Sequence, residues 1–176
     1  MKYITADLHF WHKGVLNFCS ATRPWYNVDS MNRSLVDIIN STVNPNDELY
    51  ILGDVCFNTK KTMQSDLHEL LSRINGKKHF VLGNHDHSNV REVLEQFGTV
   101  DQMIVMKHNK NRVTMCHYPM VAWENSDHGS VLFYGHMHGS LQIPGRAIDV
   151  GWDAHGKILK FDDAYDWAMA REIVKR

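Results

Sequence analysis

Five short apolar runs in this chain each stop at a cluster of polar residues, and no other feature limits the fold as much. Residues 3–6 stop at Asp7, Leu8 and His9, and residues 49–52 at Gly53 and Asp54. Residues 79–82 stop at Gly83, Asn84, His85 and Asp86. Residues 112–116 stop at His117, and residues 131–134 at Gly135, His136, Met137, His138 and Gly139. Apolar runs this short, bounded by turn residues, read as buried strands. In an open α/β sheet, ligands bind beyond the carboxyl ends of the strands, so clusters distant in sequence converge on one edge.

The segments between these strands carry helical spacing. Met31, Leu35, Ile38 and Ile39 predict a helix over 30–40, capped by Asp29 or Ser30. Met63, Leu67, Leu70, Leu71 and Ile74 predict a second, closed by Asn75 and Gly76, and 90–97 a short third. Later the strands pair with one another. Residues 103–107 and 112–116 read as a hairpin across Asn109, Lys110 and Asn111. Strands follow over 147–150 and 157–161, and a last helix over 163–174. Helix–strand alternation early and strand pairing late predict an α/β domain with a mixed sheet or two packed sheets. The 176 residues suit one domain, 1–176, with no linker or repeat.

Composition narrows the chemistry. The formal charge of −1 gives no long-range pull toward an anionic membrane and weighs against stable nucleic-acid binding. Cys19, Cys56 and Cys116 are odd in number and widely spaced, which excludes a disulfide framework or a structural zinc site of C-x-x-C type. They read as free thiols in a reducing compartment. With no signal-like or membrane-spanning run, a cytoplasmic location is the expectation. The 12 histidines beside so few cysteines point to metal ligands of nitrogen and oxygen.

Spacing within the clusters fits that chemistry. In an extended chain residues i and i+2 point the same way, so one metal can take both Asp7 and His9. The same holds for His136 and His138 if that segment is extended, whereas a turn would give each metal one histidine. Glycines beside the ligands let the backbone bend close to an ion. Each cluster alone is an ordinary turn or a satisfied histidine. The five together, in order and each after a strand, are specific.

The set resembles the signature of the calcineurin-like metallophosphoesterases: D-x-H, G-D, G-N-H-D, a lone H, and G-H-x-H, spanning Asp7 to His138. It is similar in finer detail to a small bacterial and phage branch, through His117-Tyr118-Pro119 and residues 149–153. The resemblance implies a four-layer αββα sandwich of two mixed sheets flanked by helices. It implies that Asp7, His9 and His138 bind one metal, that Asn84, His117 and His136 bind a second, and that Asp54 bridges them. It places His85 toward the phosphate and leaving group, oriented by Asp86. The implied activity is hydrolysis of a phosphodiester, such as a nucleotide or cyclic nucleotide, by a metal-bridging hydroxide. Alternatives are a phosphomonoesterase, a dinucleoside polyphosphate hydrolase, or a non-catalytic binding module of the same fold. Mixed carboxylate, imidazole and amide ligands suit Mn²⁺ first, and also Fe²⁺, Zn²⁺ or Ni²⁺. The aromatic stretch after His9 reads mostly as core, the alternative being a rim that stacks a base or grips a phosphate, with His12 and Arg23 as the candidates for touching the substrate. Asp149, Asp153 and His155 read as a satisfied turn, with a group that supports the ligands from behind as the alternative.

Overall fold

A computed structural model describes residues 1–57 and 62–175. The chain runs β1 (Lys2–Thr5), α1 (Val15–Phe18), α2 (Val28–Thr42), β2 (Glu48–Leu52), α3 (Met63–Ser72), β3 (Lys77–Val81), α4 (Ser88–Leu94) and β4 (Gly98–Asp101). It continues through β5 (Met103–His108), β6 (Asn111–Cys116), β7 (Val131–Tyr134), β8 (Ala147–Asp149), α5 (Trp152–His155), β9 (Leu159–Lys160) and α6 (Phe161–Met169). One sheet has the order β4-β3-β2-β1-β9, the other β5-β6-β7-β8. Both are mixed: β9 is antiparallel to β1, β5 is antiparallel to β6, and the other neighbours are parallel.

Side-chain alternation along the strands dictates the layers. Tyr3, Leu49, Ile51 and Phe80 pack with Met31, Leu35 and Ile39 of α2 and with Leu67 and Leu71 of α3. Their neighbours Ile4, Tyr50, Leu52 and Val81 point the other way and meet Val113, Met115, Val131 and Phe133 of the second sheet. Phe161, Ala164, Tyr165 and Ala168 of α6 close that inner core at helical spacing. On the far face of the second sheet, Leu132, Tyr134 and Ala147 are covered by Trp123 and Ile143. The fold is therefore the expected αββα sandwich, with the connections before and after β7, which carry Trp123 and Ile143, covering that far face.

Register sets the site. Thr5 pairs with Ile51, and Leu52 with Val81, so β1, β2 and β3 end level. Met115 pairs with Phe133, which levels β6 and β7 in the same way. The polar clusters leave both sheets at one common edge.

Several boundaries differ from the sequence reading. Helix α2 starts at Val28 and is capped by Asn27, not by Asp29 or Ser30. Asn27 is extended, so its side chain reaches back to accept from the Ser30 amide at 2.8 Å, while the Ser30 hydroxyl accepts from the Asn27 amide. Strand β4 was not foreseen, because its four residues alternate between half-buried and exposed and carry little apolar signal. The strand expected over 157–161 shrinks to two residues, since Phe161 opens α6 and packs edge-on to Phe133 at 5.2 Å. Among the described residues no helix is long and apolar enough to cross a membrane.

Candidate active site

Hydrogen bonds continue the strand pairing into the loops. The amides of Asp7, His9 and Phe10 donate to the carbonyls of Gly53, Asp54 and Val55 at 3.0–3.1 Å. The His136 amide crosses from the second sheet to the Asp7 carboxylate at 2.9 Å. The His85 amide donates to Asp54 Oδ1 at 2.9 Å. Each loop is thereby held by another loop's cluster.

The backbone here is not extended. Asp7, His9, Asp54, His136 and His138 all have positive φ, between 49° and 69°. Left-handed non-glycine residues are strained by ~1–3 kcal/mol each and persist where surrounding structure fixes them. The expectation that D-x-H works as an extended pair is therefore corrected. Asp7 and His9 do converge, but through two left-handed residues. Gly53 supports this with φ 84°, where a Cβ would run into His117 Nδ1 and the Gly83 backbone.

Four groups of ligand-type atoms result among the described residues, two of them sharing members with the others: His9, Asp54 and His85, and Cys19, His138 and Asp153. The remaining two hold the expected ligands. Those of Asp7, His9 and His138 lie within 4.8 Å of one another, as do those of Asp54, His117 and His136. His136 and His138 fall into different groups, because the segment bends after Gly135, with the Met137 amide on the Gly135 carbonyl. Asp54 Oδ2 stands between the groups, 3.5 Å from His117 Nε2 and 3.6 Å from His9 Nε2. Asn84 Oδ1 lies 3.1 Å from His117 Nε2.

Tautomers follow from the partners. The Leu52 carbonyl can only accept, so His117 Nδ1, at 2.8 Å from it, carries the proton. Its Nε2 lone pair then faces oxygen lone pairs of Asn84 and Asp54. His138 Nδ1 lies 2.6 Å from Asp153 Oδ2, which fixes its proton there and turns Nε2 toward Asp7 and His9. The buried His9 Nε2 has no hydrogen-bond partner. Lone pairs that converge with no proton between them fit a divalent cation, and the buried Asp and His groups could hold one or more.

Electrostatics split the group, with His9 and His117 held neutral and Asp7 and His138 pushed toward holding a proton. Burial, with His138 and Arg23 nearby, lowers the His9 pKa to about 2, so it stays neutral. Burial also lowers His117 and His12. Burial pushes the Asp7 carboxyl well above its ordinary value, against the opposing pull of His138. The hydrogen bond to Asp153 raises His138.

Arg23 is not at the rim. It is 1% exposed, and its Nε and Nη2 hold the Asp153 carboxylate at 2.8 and 2.9 Å. The same guanidinium donates to the Asp7 and Leu8 carbonyls at 2.6 and 3.1 Å. Thr22 Oγ1 adds a further bond to Asp153 at 2.6 Å. Burial opposes it, yet the bonds from His138, Arg23 and Thr22 keep Asp153 ionised, well below the usual carboxylate range. Arg23 thus ties the Asp7–His9 turn to His138 through Asp153. For Asp153 the structure favours the supporting role over the ordinary turn.

Asp86 also departs from expectation. Its Oδ2 accepts from the amides of Asp54 and Gly83 at 2.8 and 2.9 Å, and its Oδ1 from Val55 at 3.0 Å. It clamps the β2 and β3 loops together instead of orienting the His85 ring. His85 and His12 do reach the site. His85 Nε2 is 3.9 Å from Asp54 Oδ2, and His12 Nδ1 is 3.3 Å from His9 Nδ1. Above them opens a cavity of about 460 Å³, lined by His9, His12, His85, His136 and His138 and by Val15, Phe18, Cys19, Met137 and Ser140.

Fold and site together define an α/β sandwich protein with a buried carboxylate–imidazole centre at the shared edge of its two sheets. The chain belongs to the same family as an uncharacterized protein of Methanocaldococcus jannaschii, to which it is 30% identical over 138 residues, 78% of this chain and 69% of that one. The Gene 66 protein of Mycobacterium phage L5 is 28% identical over 196 residues, covering 93% of this chain and 92% of its own length. A protein of unknown function from Aquifex aeolicus shares the fold, with a TM-score of 0.69 and 20% identity over 95% of this chain and 98% of that one. No family model matches the chain.

Proposed function

We propose that this protein is a metal-dependent phosphoric ester hydrolase of the calcineurin-like kind, acting on a phosphodiester. The observation that carries the reading is the convergence of proton-free lone pairs from His117 and His138, locked by Leu52 and Asp153, on either side of Asp54. Asp7, His9 and His138 would hold one divalent ion, Asn84, His117 and His136 a second, and Asp54 would serve both. Mn²⁺ fits the donor set, as do Fe²⁺, Zn²⁺ and Ni²⁺. Two such ions supply positive charge to phosphate oxygens and acidify a water molecule.

The chain's own residues do the rest. The Asp86 clamp and the His85 amide bond to Asp54 fix where the His85 ring begins. That ring is part-exposed at the cavity and faces Asp54 Oδ2, so it is placed to donate a proton to a departing alkoxide. The neutral, buried His9 leaves its lone pair for an ion and does not compete as an acid.

Elemental analysis of Mn²⁺-loaded protein should give two ions per chain, with hydrolysis of an aryl phosphodiester faster than of the matching monoester. Asp54→Asn should remove nearly all turnover and lower the stoichiometry, because an amide cannot offset charge on two cations. Full turnover by this variant, or a stoichiometry that never exceeds one, would sink the two-ion scheme.

A further inference from the structure

Phe18 and Phe57 are 78% and 38% exposed; Phe18 lines the cavity at the proposed metal centre, and Phe57 packs against His12 and His85, two other lining residues. A single exposed aromatic is ordinary. Here two of them meet His12. Phe57 lies against the His12 ring at 4.5 Å and edge-on to His85 at 5.0 Å. Phe18 also meets His12, edge-on at 6.3 Å. The rim is seated: a Cβ added at Gly14 would come within 2.8 Å of the Phe18 ring and 3.0 Å of His12 Nε2, so both rings lie on bare backbone. Deeper in, the described wall beside the histidines is mostly apolar or uncharged: Val15, Cys19, Met137 and Ser140. A cavity of about 460 Å³ is within the range for a small ligand.

We infer that the Phe18–His12–Phe57 rim is a stacking site for a flat ring carried by the substrate, so that the ester cleaved here is a nucleotide-like one with a base beside its phosphate. The inference rests on the phosphoesterase reading and adds the substrate class. Phe57 and His12 are the rings packed beside His85, at 5.0 and 5.9 Å, and so the nearest aromatic surface to the side of the centre that His85 faces. Stacking on an aromatic face tolerates any base, because every base has a π-face. The rim therefore selects for a ring without selecting which one.

The test compares AMP with ribose 5-phosphate, which differ only in the base, by calorimetric binding to Mn²⁺-loaded protein. AMP should bind about tenfold more tightly or better, as expected for one stacked base. Phe18→Ala and Phe57→Ala should each bring that ratio toward one, and Gly14→Ala, which displaces Phe18 and His12, should do the same. Phe57→Tyr should keep it. Equal affinities in the unaltered protein would overturn the ring site alone, as would a preference that survives the double Phe18→Ala, Phe57→Ala change. If AMP, ribose 5-phosphate and inorganic phosphate all fail to bind, the phosphoesterase reading falls and the ring site with it.

Discussion

At the scale of single residues, the centre separates groups that face the cavity from groups that only hold them. His85 belongs to the first kind. His85→Ala should retain both Mn²⁺ ions and lose ~10²–10⁴-fold on an ester with a sugar alkoxide as leaving group. It should lose much less on a nitrophenyl ester, whose anion leaves without a proton. Steady-state rates on the two esters, with metal content measured alongside, decide this. Equal losses would mean that His85 binds phosphate and transfers no proton. Asp153 belongs to the second kind. Asp153→Asn removes the acceptor that fixes the His138 tautomer and leaves the Arg23 guanidinium buried beside a neutral amide. Changing such a partner typically weakens metal binding by ~10–100-fold. Breaking a buried ion pair from one side is destabilising by ~3–5 kcal/mol. A Mn²⁺ titration should therefore show one weakened ion, and urea denaturation a less stable protein. Unchanged metal affinity would show that Arg23 and Asp153 serve the fold alone.

At the scale of elements, the exposed N-terminal cap of α2 separates stability from activity. Its capping box joins Asn27 and Ser30 at the exposed end of the helix. Asn27→Ala should lower stability by ~1 kcal/mol, read from the denaturation midpoint, and leave turnover per folded molecule unaltered. What could be read beforehand follows the same division. The five strand-end clusters were legible because ligand chemistry demands particular residue types at fixed places after a strand. The plugging of the core by Phe10 and by Trp25, which lies against Trp152, was legible from the density of aromatics. The role of Arg23 was not, because its partner Asp153 is 130 positions away and nothing local distinguishes a buried arginine from a surface one. Phe18 and Phe57 were missed for the same reason, since only the folded chain brings both of them against His12. Asp86 was given the wrong partner because adjacency to His85 is a fact of sequence, whereas its carboxylate turns inward to three backbone amides.

At the scale of the whole molecule, the centre stands at the edge shared by two sheets. Anything that binds the folded chain and not the unfolded one stabilises it, by ~2.7 kcal/mol at a hundredfold excess over the dissociation constant. In a domain of this size that is roughly 5–11 °C in melting temperature. Adding Mn²⁺ to chelator-treated protein should raise the melting temperature by that order, and Asp54→Asn should blunt the rise. An unshifted melt would argue against a metal at this edge. The order of the ligands along the chain has a further consequence. Asp7, His9, Asp54 and Asn84 come from the first half of the chain, while His117, His136 and His138 come from the second. Neither half owns a complete set for either ion. If these residues are the ligands, a nascent chain leaving the ribosome would carry only a fragment of the centre until the loop after β7, with His136 and His138, had emerged and docked. On the proposed function, hydrolytic power would begin only once the last of those histidines had joined the first-half carboxylates.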